Sequence, residues 1–150
     1  GKPYGNYIPY VIETSIGLDR MFLAVLSNAY EEEKITKEDG STDERVVLHI
    51  PAKIAPVKLA ILPLVKKDGL PEIARELMDS CKGQFKCFYE EKDAIGKRYR
   101  RQDAIGTPFC VTIDHQTKED QTVTIRYRDA MTQERIHISK VKEIVLAGIA

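Results

Sequence analysis

Net charge is missing from this sequence: 23 basic residues balance 23 acidic ones. That excludes a wholly basic nucleic-acid binder but leaves local basic patches open. Long apolar runs are missing too. Stretches such as Met21–Leu26, M-F-L-A-V-L, are far too short to cross a bilayer, and no membrane partner is expected. Cysteine is scarce. Cys81, Cys87 and Cys110 are odd in number and show no C-x-x-C spacing, so a thioredoxin-like enzyme has no support. Each falls in a segment read as helix or strand interior, which points to reduced, buried thiols of a cytosolic protein. A phosphate-binding glycine loop is also absent, which removes a flavodoxin-like enzyme. His49 has no second ligand at a metal spacing, so it reads as surface-facing or hydrogen-bonded and no metal site is expected. There is no solenoid repeat and no low-complexity tract.

What is present suffices for one sizeable core with room for an appendage. Of 150 residues, 43% are hydrophobic and 31% charged, ordinary for a globular chain. Val57–Val65, V-K-L-A-I-L-P-L-V, is a nearly continuous apolar run between Pro56 and Lys66-Lys67-Asp68-Gly69. A strand covered on both faces reads this way. Pro71 suits a helix first turn, Leu70, Ile73, Ala74, Leu77, Met78 and Cys81 keep a 3.6-residue stripe, and Gly83 stops it. Phe85–Tyr89 follows as a second strand. Asp93 is the expected N-cap of a helix running to Gly106, and Phe109–Ile113 is the third strand. Asp114–Gln121 reads as a polar turn. Thr122–Arg128 alternates, with Val123, Ile125 and Tyr127 on one face and Arg126 and Arg128 on the exposed one. Glu134–Ile138 returns as a strand, and Ser139 is the expected N-cap of a last helix with Val141, Ile144 and Val145 inward. The order predicts an α/β fold: a mixed five-stranded sheet, parallel then antiparallel, with three flanking helices.

The N-terminal part differs in kind. Tyr10–Ile16 reads as a strand and Gly17 turns into a helix reaching about Tyr30, apolar all round over Met21–Leu26. Such a unit needs partners it does not contain, and the opening Gly-Lys-Pro-Tyr has no initiator Met, so a fragment of a longer protein is expected. Glu13 and Ser15 share a strand face, while Asp19 and Arg20 open the helix. An internal Glu13–Arg20 ion pair is the structural alternative to a ligand site. Glu31–Glu44, E-E-E-K-I-T-K-E-D-G-S-T-D-E, has one apolar residue and reads as a solvated linker. The domains expected are therefore residues 1–43 and 44–150. Lys92, Lys97, Arg98, Arg100 and Arg101 form the densest positive cluster, suited to phosphate contacts.

The run P-Y-V-I-E-T-S-I-G-L-D-R-M-F-L-A-V-L resembles motif 3 of class II aminoacyl-tRNA synthetases, and the Glu-x-Ser before its Gly-x-x-Arg resembles the glycyl branch. The strings P-A-K-I-A-P-V-K-L-A-I-L-P-L-V and I-G-K-R-Y-R-R-Q-D-A-I-G-T-P-F-C-V-T-I-D are similar to that branch's anticodon-binding domain. The resemblance covers nearly the whole chain outside the linker. It implies that Arg20 contacts ATP phosphates, that Gly17 lets the backbone close beneath the nucleotide, and that Glu13 and Ser15 form a glycine pocket. It implies a cytoplasmic homodimeric parent that charges glycine tRNA with ATP and magnesium. The anticodon's last two bases would be cytosines. Lys97, Arg98, Arg100, Arg101, Arg126 and Arg128, with Phe85 or Tyr89, are the expected tRNA contacts. Class II motifs 1 and 2 are not found, so the piece alone is expected to be inactive in charging. The alternative is a non-catalytic accessory module, as in a mitochondrial DNA polymerase accessory subunit, which would have no need of Glu13, Ser15 and Arg20 together.

Overall fold

A computed structural model describes residue 5, residues 8–36 and residues 40–150. Helix α1 (Leu18–Ala29) starts after Gly17 and runs directly into strand β1 (Tyr30–Thr36). Strand β1 pairs antiparallel with β2 (Thr42–Leu48), Tyr30 opposite Leu48 and Thr36 opposite Thr42. This hairpin corrects the linker expected over Glu31–Glu44, and the boundary drawn at residue 44 falls inside β2. The charges that suggested solvation are cross-strand pairs: Glu33 faces Arg45 and Lys34 faces Glu44, an arrangement that stabilises a sheet. Arg45 and Val47, two apart on β2, are both buried.

The strand expected at Tyr10–Ile16 is not formed, and residues 8–17 belong to no sheet and are exposed. A strand exists by pairing, and no other strand lies beside this segment among the described residues. Helix α1 shows the same lack of cover. Ala29 is buried, while Met21, Phe22 and Leu23 are exposed.

Strand β3 (Leu59–Pro63) is the centre of the main sheet. It leads through helix α2 (Leu70–Cys81) to β4 (Cys87–Tyr89), then through α3 (Ile95–Ile105) to β5 (Phe109–Ile113). The remaining elements are α4 (His115–Asp120), β6 (Thr122–Tyr127), β7 (Gln133–His137), a 3-10 turn (Ile138–Lys140) and α5 (Val141–Ile149). The sheet order is β4-β3-β5-β6-β7, with β3 parallel to β4 and β5, and β6 and β7 antiparallel. This is the expected mixed five-stranded sheet. All five residues of β3 are buried, because both faces are covered. Leu59 and Ile61 join the cluster of Leu70, Ala74 and Leu77 from α2 and Val141 and Val145 from α5. Ala60 and Leu62 pack instead with Cys110 and with Ile95 and Tyr99 of α3. The two crossover helices, α2 and α3, thus cover β3 on opposite faces of the sheet.

Three local expectations are corrected. Asp114–Gln121 is a short helix rather than a turn. The Asp114 carboxylate accepts from the Thr117 N–H at 3.1 Å, and Thr117 Oγ1 accepts from the Asp114 N–H at 3.1 Å, a reciprocal cap that sustains six residues. Asp93 does not cap α3. It lies in the left-handed region with φ 73°, and its carboxylate turns to Arg101 at 3.0 Å. Ser139 sits inside the 3-10 turn and gives its N–H to His137 Nδ1, so α5 begins two residues later.

Candidate nucleic-acid interface

The basic face of α3 splits when the helix is docked. Arg98 is buried, and its guanidinium donates to the carbonyls of Pro63 (2.7 Å), Leu64 (3.3 Å) and Glu90 (3.1 Å). It therefore ties together the loops that follow β3 and β4, and burial pulls its pKa below the usual arginine value. Arg100 pairs with Asp43 of the hairpin at 2.7 Å. Arg101 pairs with Glu90 at 2.7 Å and Asp93 at 3.0 Å, which raises its pKa. Lys97 and Lys92 stay exposed, with no ion-pair partner among the described residues.

Arg126 and Arg128 were expected on an exposed face and are both buried, because α3 and the hairpin cover that side of β6. Arg126 grips Asp103 of α3 with two bonds, 2.7 and 2.9 Å, and lies 4.9 Å over the Tyr99 ring. Asp103 also accepts from Arg45 at 3.1 Å, and Arg45 reaches Glu33 at 2.5 Å and the Arg128 carbonyl at 3.1 Å. Arg128 donates to the Gly106 carbonyl at 2.7 Å and to the Asp129 carboxylate at 2.7 and 3.1 Å. His49 completes the network, with Nδ1 2.7 Å from Asp129 and Nε2 2.8 Å from Glu33 and 3.5 Å from Glu31. Bidentate guanidinium–carboxylate pairs suit such enclosed positions. The seam fastens the hairpin to α3 and β6. It closes against Gly106, whose φ of 81° would strain any other residue and where an added Cβ would come within 3.1 Å of the Leu48 carbonyl oxygen.

The seam carries a pH signature. Burial pulls the His49 pKa down, but Asp129 and Glu33 outweigh it and raise it above 6.5. A raised folded pKa gives stability that is complete below about 6.5 and is lost as pH climbs through the folded value. Glu33, held down chiefly by Arg45, and Asp129, where Arg128 and His49 overcome the cost of burial, lie below their ordinary values. Their contribution is present above about 4 and fades on acidification. Thermal unfolding of the native chain should therefore lose stability from about pH 6.5 upward. His49→Gln should flatten that alkaline limb and keep the acid one. An unchanged alkaline limb in the variant would remove His49 from this role.

Sequence reasoning missed the ligands of this seam, since Arg45, His49, Asp103 and Asp129 share no spacing. It also missed Arg75, whose guanidinium lies 5.4 Å from the Tyr89 ring centre, and exposed Phe88. Tyr89, whose hydroxyl donates to Glu91, is half-buried, and burial first and Glu91 second push it up to about 12. Phe85 is buried in the core and is removed as a base contact. The carboxyl ends of β3 and β4 thus gather Lys66 and Lys67, Lys92, Lys97 at the start of α3, Arg75 and Tyr89. Ligands of open α/β sheets bind at strand carboxyl ends where crossovers diverge. Glu13, Ser15, Gly17 and Arg20 are all exposed, and no ion pair joins Glu13 to Arg20 among the described residues.

The fold is that of a domain found in class II tRNA synthetases. It matches a prolyl-tRNA synthetase from Cryptosporidium parvum, solved with L-proline and AMP, at a TM-score of 0.62 and 17% identity, over 77% of this chain and 30% of that one. Residues 58–147 match the anticodon binding domain model, and the chain belongs to that family. Curated relatives extend the likeness past residue 58. The chain is 53% identical over 141 residues to the glycine–tRNA ligase of Treponema denticola, covering 91% of this chain and 31% of the relative. It is 55% identical over 144 residues to that of Borrelia hermsii (96% and 32%), and 47% identical over 136 residues to that of Rhodopirellula baltica (91% and 25%). The chain spans about a third of the length of these relatives or less.

Proposed function

We propose that the chain is the anticodon-reading part of a glycine–tRNA ligase and grips the anticodon stem-loop of glycine tRNA. The observation that carries this reading is the anticodon binding domain match over residues 58–147, set within relatives that are glycine–tRNA ligases. The geometry supports it. Lys66, Lys67, Lys92 and Lys97, exposed and without an ion-pair partner among the described residues, supply phosphate contacts around Tyr89, an aromatic face on which a base can stack. Arg98, Arg126 and Arg128 act from within by holding the loops and the hairpin. By the same reading, the residues before the β1–β2 hairpin end the catalytic domain of a cytoplasmic, homodimeric parent. Arg20, exposed and without an ion-pair partner among the described residues, offers a planar guanidinium suited to ATP phosphates. Gly17 lies beneath the nucleotide, and Glu13 and Ser15 face the glycine ammonium. ATP with magnesium supplies the activated phosphoanhydride in that parent. The chain alone is expected not to charge tRNA.

The test is a titration against glycine tRNA transcripts and a control with both anticodon cytosines replaced. Four lysine–phosphate contacts give a log–log salt slope of about −3, or on the order of fiftyfold weaker binding between about 50 and 200 mM salt. Alanine at Lys66, Lys67, Lys92 and Lys97 should flatten that slope. Equal binding to both transcripts would overturn base reading and favour an accessory module gripping phosphate alone.

A further inference from the structure

Imidazole and carboxylate groups meet at the base of the hairpin. Glu31 and Glu33 are two apart on β1 and so share one face. His49 lies one step past the Tyr30–Leu48 pair, where its N–H donates to the Ala29 carbonyl at 2.7 Å. That register sets it on the same face. Its Nε2 stands 2.8 Å from Glu33 Oε1 and 3.5 Å from Glu31 Oε2, and the ligating atoms of Glu31, Glu33 and His49 all lie within 4.8 Å of one another. Bonds of about 2.0–2.1 Å to a tetrahedral ion place neighbouring ligands about 3.3 Å apart, and the two His49 distances bracket that spacing. The group is also held from behind. Asp129, in the turn after β6, meets Nδ1 of His49 at 2.7 Å and so aims Nε2 at the glutamates. Arg45 Nε donates to the other oxygen of Glu33 at 2.5 Å, which keeps Oε1 turned toward His49. A carboxylate on the second ring nitrogen is the usual outer support of a metal-binding histidine. The Glu31 side chain is 62% exposed, against 27% for His49, so the site opens to water on one side.

We propose that Glu31, Glu33 and His49 bind a divalent cation of the zinc class, which clips the start of β1 to the chain leaving β2. Nε2 and one oxygen of each glutamate are the protein ligands, and water takes the remaining position. An imidazole among the ligands favours zinc over magnesium and calcium, which prefer a shell of oxygens. The two carboxylates match the charge of the ion, and Asp129 and Arg45 keep their places behind the ligands as it enters. Sequence spacing shows no such set, because Glu33 lies 16 residues from His49 and reaches it only across the hairpin. The ion sits at the end of the hairpin where α1 enters and the chain departs for β3. There it adds a further tie to the seam that holds the hairpin against α3 and β6.

The test is calorimetric titration of the native chain with zinc sulfate, with a phosphine reductant keeping the cysteines as thiols. The expected result is a single ion per chain, removed by EDTA and not displaced by excess magnesium. Hydrogen exchange over β1 and β2 should slow when zinc is bound. Glu31 is exposed and pairs with His49, so Glu31→Gln should keep the fold and weaken zinc binding at least about tenfold. Asp129→Asn, which loosens the support of His49, should weaken it by about tenfold to a hundredfold. Cobalt in place of zinc should show the visible absorption of a four- or five-coordinate centre without a thiolate charge-transfer band. The proposal is overturned if the native chain binds no zinc, if Glu31→Gln binds it as tightly, if magnesium displaces it, or if the cobalt spectrum places the ion on cysteine. The native chain and Glu31→Gln decide the matter even where Asp129→Asn does not fold.

Discussion

Replacing Asp103 with alanine should lower the free energy of unfolding by about 3–5 kcal/mol, the cost of leaving buried charge without its partner. Its carboxylate is fully buried and receives Arg126 through two bonds and Arg45 through a third. Alanine leaves two guanidinium groups enclosed, Arg126 short of two bonds and Arg45 short of one. Arg45 keeps Glu33 and the Arg128 carbonyl, so the greater strain falls on Arg126, which retains the Tyr99 ring. Urea unfolding measures the loss. Hydrogen exchange should show where it falls, with the β1–β2 hairpin losing protection before β3 and β5. A loss below about 1 kcal/mol, the size of a surface pair, would mean that the seam is solvated in solution. Asp103→Asn keeps the shape and should lose less, since it can still accept a bond.

Arg98→Leu should cost about 2–4 kcal/mol and weaken RNA binding although Arg98 is itself buried. Three carbonyls, of Pro63, Leu64 and Glu90, lose their donor, and each buried unpaired polar group costs about 1–3 kcal/mol where water cannot replace it. Part is recovered, because the variant no longer buries a cation whose Nε has no partner. The two loops that carry Lys66, Lys67 and Lys92 are then no longer held to one another. Binding of the anticodon stem-loop should fall while its salt slope stays near that of the native chain, because the lysines proposed to meet phosphate remain. Arg98→Lys should not restore it, since one ammonium lacks the fork that spans both loops. Native-like affinity in Arg98→Leu would show that the loops are held by other means.

Much of the main sheet was legible because its signals are local. The run Val57–Val65 names a strand covered on both faces, and the structure covers it with α2 and α5 on one side and α3 on the other. The stripe from Leu70 to Cys81 and the stops at Gly83 and Gly106 depend on neighbours three or four residues away. The caps at Asp93 and Ser139 were misread because a side chain near a helix start can find a better partner in space. Asp93 finds Arg101 on the next turns of α3. The hairpin β1–β2 was misread for a related reason: the charges of Glu31–Glu44 read as solvated until strand pairing sets Glu33 opposite Arg45.

The sequence by itself determined the order of the five strands of the main sheet and its three longer helices, the covered central strand and the family resemblance carried by its contiguous strings. All of these rest on periodicity and on residues adjacent along the chain. The tertiary structure alone decided which arginines are free to meet a ligand. Arg98, Arg126 and Arg128 carry the same charge as any surface arginine, and they differ from Lys97 only in what packs over them. Burial removes water from a guanidinium, so it must take carbonyls and carboxylates as partners. Those partners, Pro63 and Glu90 for Arg98 and Asp103 for Arg126, lie 8 to 35 residues away. No local spacing encodes such a pairing, because only the folded sheet and its docked hairpin bring the groups together.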